Sequence, residues 1–143
     1  MKNYSFWLKM AAIFQIMTGL MHSLSLFNSP PPTNATEKQL LDLMGSYQFE
    51  LGAGFSPTMA DFMTSFSISF TLFLLFGGIL NLLLLKGNVA MKTMKGIILV
   101  NLLFFGACFI TMFFLTFLIP IICLGLIELA LILAAITSLK KKF

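Results

Sequence analysis

The sequence predicts an all-α integral membrane protein, a four-transmembrane-helix antiparallel bundle with a short amphipathic helix in the first outer loop. Hydrophobic residues make up 59% of the 143-residue chain and charged residues only 10%, so the chain has more apolar surface than a water-soluble domain can bury. The apolar residues fall into four runs, each about as long as a helix that crosses the ~30 Å hydrocarbon core of a bilayer. The lysines gather at the ends of the chain and in one loop.

The first predicted span covers residues 5–27. Two lysines precede its apolar part, as they would in a signal peptide, but Gln15, Thr18 and His22 interrupt that part and no small-x-small cleavage site follows it. We therefore expect a transmembrane helix that stops before the three prolines at 30–32.

The predicted outer loop covers residues 28–56 and contains one short helix. Thr36 and Glu37, followed by Leu40, Leu41 and Met44, have the cap and the spacing of an amphipathic helix. We expect this helix to lie on the membrane surface and the loop to cover the outer end of the bundle.

The second predicted span, 57–85, begins with a helix start signal. Ser56 is suited to cap the helix, Pro57 fits the first helical position, and Asp61 lies near the positive end of the helix dipole. The polar residues of this span crowd its first half, whereas 72–85 is apolar apart from Asn81.

The third and fourth predicted spans are 96–118 and 120–139, with a cytoplasmic loop at 86–95 and a tight turn at Pro120. Only one lysine lies in the connection 28–60, whereas the other eight lie at the chain ends and in the 86–95 loop. The excess of lysine predicts that both termini are cytoplasmic. All nine basic residues are lysine and none is arginine, which does not favour a nucleic-acid partner. The expected partners are membrane lipid and either a second copy of the chain or another membrane protein.

The polar residues inside the spans form the predicted ligand-binding site. Helical spacing of three and four residues places one group on one face of the first span and a second group on one face of the second span. In the fourth span, Glu128 is an acidic residue deep in an apolar run. A carboxylate in that position costs several kcal/mol unless it is protonated or paired, so we expect Glu128 to contribute to the site as well. The predicted site therefore consists of Gln15, Thr18, His22, Asp61, Ser65, Ser69 and Glu128.

Helix depth predicts that His22 and Glu128 lie within reach of each other in a polar pocket that opens to the outer face. Structural interpretations of the same residues remain open. Serine and threonine in membrane helices often bond their own backbone, Asp61 fits a helix cap, and a buried His–Glu pair can simply fix the helix register.

The sequence lacks the common enzyme signatures. It has no Gly-x-Ser-x-Gly, no paired cysteines, no histidine pair for a metal and no glycine-rich phosphate loop, so we expect no catalytic residue, metal or cofactor. A non-enzymatic ligand-binding or partner-binding protein is the first hypothesis. The alternatives are a small proton- or cation-coupled transporter that works as a homodimer through Glu128, and a lipid-modifying acid/base enzyme that uses Glu128 and His22.

The chain resembles small, uncharacterised bacterial four-helix inner-membrane proteins of the DoxX-like kind. The resemblance lies in the order of the spans, in Gly19-Leu20-Met21-His22, and in the segment Ser56-Pro57-Thr58-Met59-Ala60-Asp61-Phe62. It implies a multi-pass protein of the inner membrane. Such families imply no settled activity, so the resemblance assigns no catalytic residue.

Overall fold

The computed structural model describes residues 3–27, 31–87 and 89–140 and folds this part of the chain into five α-helices. Their bounds are α1 Tyr4–Ser25, α2 Ala35–Ser46, α3 Met59–Lys86, α4 Met91–Leu115 and α5 Leu118–Leu139. The described residues contain no strand; one isolated antiparallel bridge joins Gln48 to Thr58. The predicted all-α class is therefore confirmed.

Three of these helices, α3, α4 and α5, are long and apolar enough to cross a membrane. The prediction of a multi-pass membrane protein is confirmed at that level. Within the described chain, α1 is not among the helices that qualify. Lys9, Gln15 and His22 are distributed along its 22 residues and lower its mean hydropathy, so composition alone does not establish four spans.

Helix α1 nevertheless lies at the centre of the packing. It packs against both α3 and α5, and α5 also packs against α4. Its buried face combines one large residue with small ones, namely Leu8, Ala11, Ala12, Gln15 and Gly19. Because small side chains let two helix backbones approach closely, this face is suited to the interior of a membrane bundle.

The closest approach between α1 and α3 lies at Gly78. A Cβ atom at this position would be 2.6 Å from the Ile16 Cγ1 atom and 2.8 Å from the backbone oxygen of Ala12. The backbone of α1 therefore occupies the space that any side chain at Gly78 would need. Gly19 likewise lets α1 approach α3 closely, because a Cβ at this position would be 3.1 Å from the Leu75 side chain.

Helix α3 begins two residues later than the sequence suggested. Thr58, and not Ser56, is the N-cap: its side chain accepts a hydrogen bond from the Asp61 N–H, and the Asp61 carboxylate accepts from the Thr58 N–H. Pro57 belongs to the preceding loop because its carbonyl accepts a hydrogen bond from the Phe49 N–H. This reciprocal capping box outweighs the proline signal.

Helix α2 lies outside the bundle and has no buried residue. Asn34 caps it, and Glu37 accepts hydrogen bonds from the Thr33 hydroxyl and N–H, which lower the pKa of Glu37 below its usual range. Helix α2 contacts the bundle only weakly, at α3. The expected amphipathic helix is therefore present, but it rests beside the beginning of α3 and is not packed over the bundle interior.

The connection between α4 and α5 is as short as predicted, but it lies two to three residues earlier. Helix α4 begins at Met91 rather than 96, and α5 begins at Leu118 after a turn at Thr116 and Phe117. Pro120 lies in the first turn of α5, where the missing N–H has no helical partner to lose. The proline therefore marks the helix start rather than the turn itself.

The Gly78 contact predicts a large difference between two glycine substitutions. Gly78→Ala should destabilise the protein by about 1–3 kcal/mol, because the new methyl group overlaps the α1 backbone. Gly96→Ala in α4 is the matched control, since nothing lies within 4 Å of its Cβ position, and alanine should be neutral or slightly stabilising there. Unfolding of both variants in detergent measures the difference, and equal stability would show that α1 and α3 are not packed as described.

Candidate functional site

The two most deeply buried polar side chains, Gln15 and Asn81, meet the half-buried Asn101 of a third helix in one amide cluster. The Nδ2 group of Asn81 on α3 donates to the Oε1 atom of Gln15 on α1 at 3.1 Å and to the Oδ1 atom of Asn101 on α4 at 2.9 Å. Gln15 has no exposed surface and Asn81 is 1% exposed. One amide group therefore joins α1, α3 and α4.

The helices position these side chains through their buried faces. Asn81 continues the α3 face that buries Thr71, Leu74 and Gly78, at spacings of three and four residues. Asn101 is oriented by its own backbone, because its Nδ2 group donates to the Ile97 carbonyl at 2.9 Å. Its oxygen is thereby left to accept from Asn81.

Two atoms of the amide cluster have no hydrogen-bond partner within the described residues. They are the donor Gln15 Nε2 and the acceptor Asn81 Oδ1, and both are buried. A buried polar atom without a partner costs about 1–3 kcal/mol. The cluster therefore offers one unused donor and one unused acceptor to a molecule that enters it.

A glycine and a phenylalanine lie beside the amide cluster. A Cβ at Gly77 would be 3.4 Å from the Phe105 ring and 3.8 Å from the Gln15 amide carbon. The backbones of α3 and α4 do not pack closely, and long side chains bridge them, as in the contact between Phe73 and Phe104. Asn81 and Asn101 therefore meet across an α3–α4 interface that is held by side chains rather than by backbone contact.

His22 and Glu128 lie on different sides of the bundle interior. The His22 ring packs edge-on against Phe70 of α3, with ring centroids 5.3 Å apart. The Glu128 carboxylate faces α4, where its Oε1 atom is 3.1 Å from the Cβ position of Gly106. No hydrogen bond or ion pair between His22 and Glu128 occurs in the described part of the chain, so the expectation that they meet is not realised.

Glu128 has its own unusual environment. Its side chain is half-buried, and its Oε2 atom is buried without a hydrogen-bond partner among the described residues. Gly106 leaves room for the carboxylate that a larger residue would fill. A carboxylate in this setting is stabilised by taking up a proton or by binding a cation.

Three of the predicted site residues lie away from the amide cluster. Asp61 is exposed and caps α3 through Thr58, so its carboxylate serves the helix start. Ser65 and Ser69 are exposed on the first half of α3. Thr18 and His22 are half-buried on α1, and the nearby part of α3 buries the Thr71 hydroxyl, which has no partner among the described residues.

Sequence reasoning placed Gln15 in the site but did not give Asn81 or Asn101 a role in it. Both amides were visible as single polar residues in long apolar runs. An amide inside a membrane span needs a partner within the protein, and that requirement is the signal that links the three residues. Spacing along one helix could not reveal it, since each helix supplies only one member.

The chemistry of the amide cluster is that of recognition. Carboxamides donate and accept hydrogen bonds but do not titrate in the physiological range or act as nucleophiles. No group of three or more His, Cys, Asp or Glu side chains that could hold a metal occurs among the residues that the structure describes. The arrangement therefore fits a neutral polar group better than an ion.

Comparisons with protein-family models, with curated proteins and with solved structures returned no match. The resemblance to DoxX-like proteins therefore remains a prediction.

The bridging role of Asn81 predicts strong coupling between Gln15 and Asn81. Asn81→Leu should destabilise the protein by about 1–3 kcal/mol, because it leaves two buried acceptors without a donor. Adding Gln15→Leu should then cost less than Gln15→Leu costs alone, since the glutamine has already lost its partner. Chemical unfolding in mixed micelles of the two single variants and the double variant measures this coupling.

Ser69→Ala is the control for the coupling measurement, because Ser69 is exposed and should change stability by no more than about 0.5 kcal/mol. Strictly additive effects of Gln15→Leu and Asn81→Leu would contradict the hydrogen bond between them.

Proposed function

We propose that this protein is a non-enzymatic membrane protein that binds a small or lipid-like ligand at the amide cluster in the interior of its bundle. The observation that carries the proposal is the pair of buried, unpartnered atoms Gln15 Nε2 and Asn81 Oδ1. A ligand that offers both an acceptor and a donor, such as a hydroxyl, carboxylic acid or amide group, satisfies both. Its binding would recover the free energy that the empty cluster forfeits.

We propose that the protein has four spans, because α1 crosses the membrane in addition to α3, α4 and α5. Helix α1 packs against two apolar helices, α3 and α5, and its 22 residues extend for about 33 Å, enough to cross the hydrocarbon core. The hydrogen bond to Asn81 compensates the most buried polar residue of α1. With lysines at both chain ends, this arrangement favours an inner-membrane protein with cytoplasmic termini.

In this proposal His22 and Thr18 line the approach to the amide cluster from the outer end of α1. Both are half-buried, and helical spacing places them on the same face as Gln15. His22 lies about 10 Å outward from Gln15 along the helix axis. The unpartnered Thr71 hydroxyl supplies a further polar group on the opposing helix.

Glu128 supports a second candidate function, a proton- or cation-coupled transporter that works as a homodimer. The specific observation is the buried Oε2 atom without a partner. A carboxylate at bilayer depth that alternates between protonated and ionised forms is the usual carrier of coupled transport. The two candidate functions depend on different residues, so they are separable by mutation.

The binding proposal is tested by thermal unfolding of the purified protein in detergent, with and without a bacterial polar lipid extract. The extract should raise the Tm of the wild type by several degrees, because a ligand that binds only the folded state stabilises it. Gln15→Leu should make this shift clearly smaller, whereas Ser69→Ala and Glu128→Gln should retain it in full. Native mass spectrometry of the same samples identifies the bound mass.

A shift as large in Gln15→Leu as in the wild type would contradict ligand binding at the amide cluster, and so would a wild type that does not respond to the extract. Loss of the shift in Glu128→Gln alone would move the ligand to the α4–α5 side and favour the transporter.

A further inference from the structure

A cavity lies between α1 and α5, on a different face of α1 from the amide cluster. Its volume is about 250 Å³. Only apolar side chains line it, among them Phe6, Trp7, Met10, Phe14, Leu126 and Leu129. The cavity is independent of the proposed ligand site, because neither Gln15 nor Asn81 borders it.

This cavity opens towards the surface that faces lipid. Leu129 is 54% exposed and Leu126 is 43% exposed, so the α5 side of the cavity belongs to the outside of the bundle. Ala130, which also lines it, is 3% exposed and forms part of its floor. The opening is therefore bordered by α5, which is one of the helices long and apolar enough to cross a membrane.

The lining decides what fills the cavity. Water gains no hydrogen bonds there, and apolar cavities of this kind stay dry. A cavity of this volume is too small for a partner helix but accommodates a length of hydrocarbon chain. The neighbouring solvent in a bilayer is the acyl chain itself.

The position of Lys140 indicates the headgroup. Leu129 and Lys140 are eleven residues apart, close to three full helical turns, so they lie on the same face of α5 about 16 Å apart along the axis. Lys140 is exposed and keeps helical backbone angles. That separation is about half the thickness of the hydrocarbon core. An acyl chain that reaches the middle of the bilayer ends at about the same distance from the phosphate of its lipid.

We propose that the cavity between α1 and α5 is a specific site for one acyl chain of an anionic phospholipid, with Lys140 beside the phosphate. The charge of Lys140 selects the anionic headgroup, and the apolar lining holds the chain. The small side chain of Ala130 in the floor leaves the space that the chain occupies.

Trp7 makes the proposal directly measurable, because it lines the cavity and is the one tryptophan in the sequence. Detergent-solubilised protein is titrated with phosphatidylglycerol that carries brominated acyl chains, and separately with phosphatidylcholine that carries the same chains. Bromine quenches tryptophan emission on contact. We expect saturable quenching, with half-saturation at a several-fold lower concentration for phosphatidylglycerol.

Two variants of the cavity test the site. Ala130→Phe fills the floor and should abolish most of the quenching. Leu129→Phe narrows the mouth at an exposed position, so it should fold normally even if the floor variant does not, and it should weaken quenching several-fold. Leu103→Phe is the matched control, because Leu103 is 65% exposed on α4 and does not border the cavity.

The headgroup is tested with Lys140→Gln, which should remove the preference for phosphatidylglycerol while leaving saturable quenching in place. Lys86→Gln, at the exposed end of α3, is its control and should keep the preference. Quenching that does not saturate, or that is equal in Leu129→Phe and Leu103→Phe, would overturn the chain site. Equal half-saturation for the two lipids in the wild type would overturn the anionic assignment.

Discussion

The hydrogen bonds of the Asn81 amide are the interaction on which the arrangement of this bundle depends. Within a membrane, water is absent from the hydrocarbon region and every polar group must find its partner in the protein. The Asn81 Nδ2 group supplies that partner to the Gln15 Oε1 atom and to the Asn101 Oδ1 atom at once. Three helices are thereby held in one register, because a slip of one residue in any of them would strand an amide in an apolar environment.

The packing around Gly78 complements those hydrogen bonds. Gly78 lies three residues before Asn81 on the same buried face of α3 and touches the α1 backbone. Close contact between the two helices brings the Gln15 side chain within reach of Asn81. Apolar packing therefore sets the distance and the amides set the register, which is the usual division of roles in membrane bundles.

Helix α1 links this packing to both proposed activities. One face carries Gln15, and another carries Trp7 and Met10 on the α1–α5 cavity. Gln15 is one of the polar residues that keep α1 out of the set of apolar helices, and it also gives the bundle interior its hydrogen-bonding chemistry. A more hydrophobic helix would insert more favourably into lipid but would offer a ligand no hydrogen bonds.

The sequence was sufficient to predict the all-α class and the helices themselves, because the apolar runs and the start signals are local features. The choice of Thr58 over Ser56 as the cap follows from the reciprocal capping box between Thr58 and Asp61, a local signal that competed with Pro57 in the sequence. The separation of His22 from Glu128 depends on which neighbour each side chain faces, and helical depth carries no information about that. Gln15 is buried, as its polar position on the first span suggested, but its partner Asn81 lies 66 residues away.

The central position of α1 is tested most directly by determining on which side of the membrane each end of α1 lies. Single cysteines at Asn3 and Ser25, introduced after Cys108 and Cys123 are replaced by alanine, can be labelled in intact cells and in inverted vesicles with an impermeant maleimide. We expect the two positions to react from opposite sides, because α1 is proposed to cross the bilayer beside α3 and α5. Labelling of both from the same side would contradict the central position of α1 and the intramembrane amide cluster together.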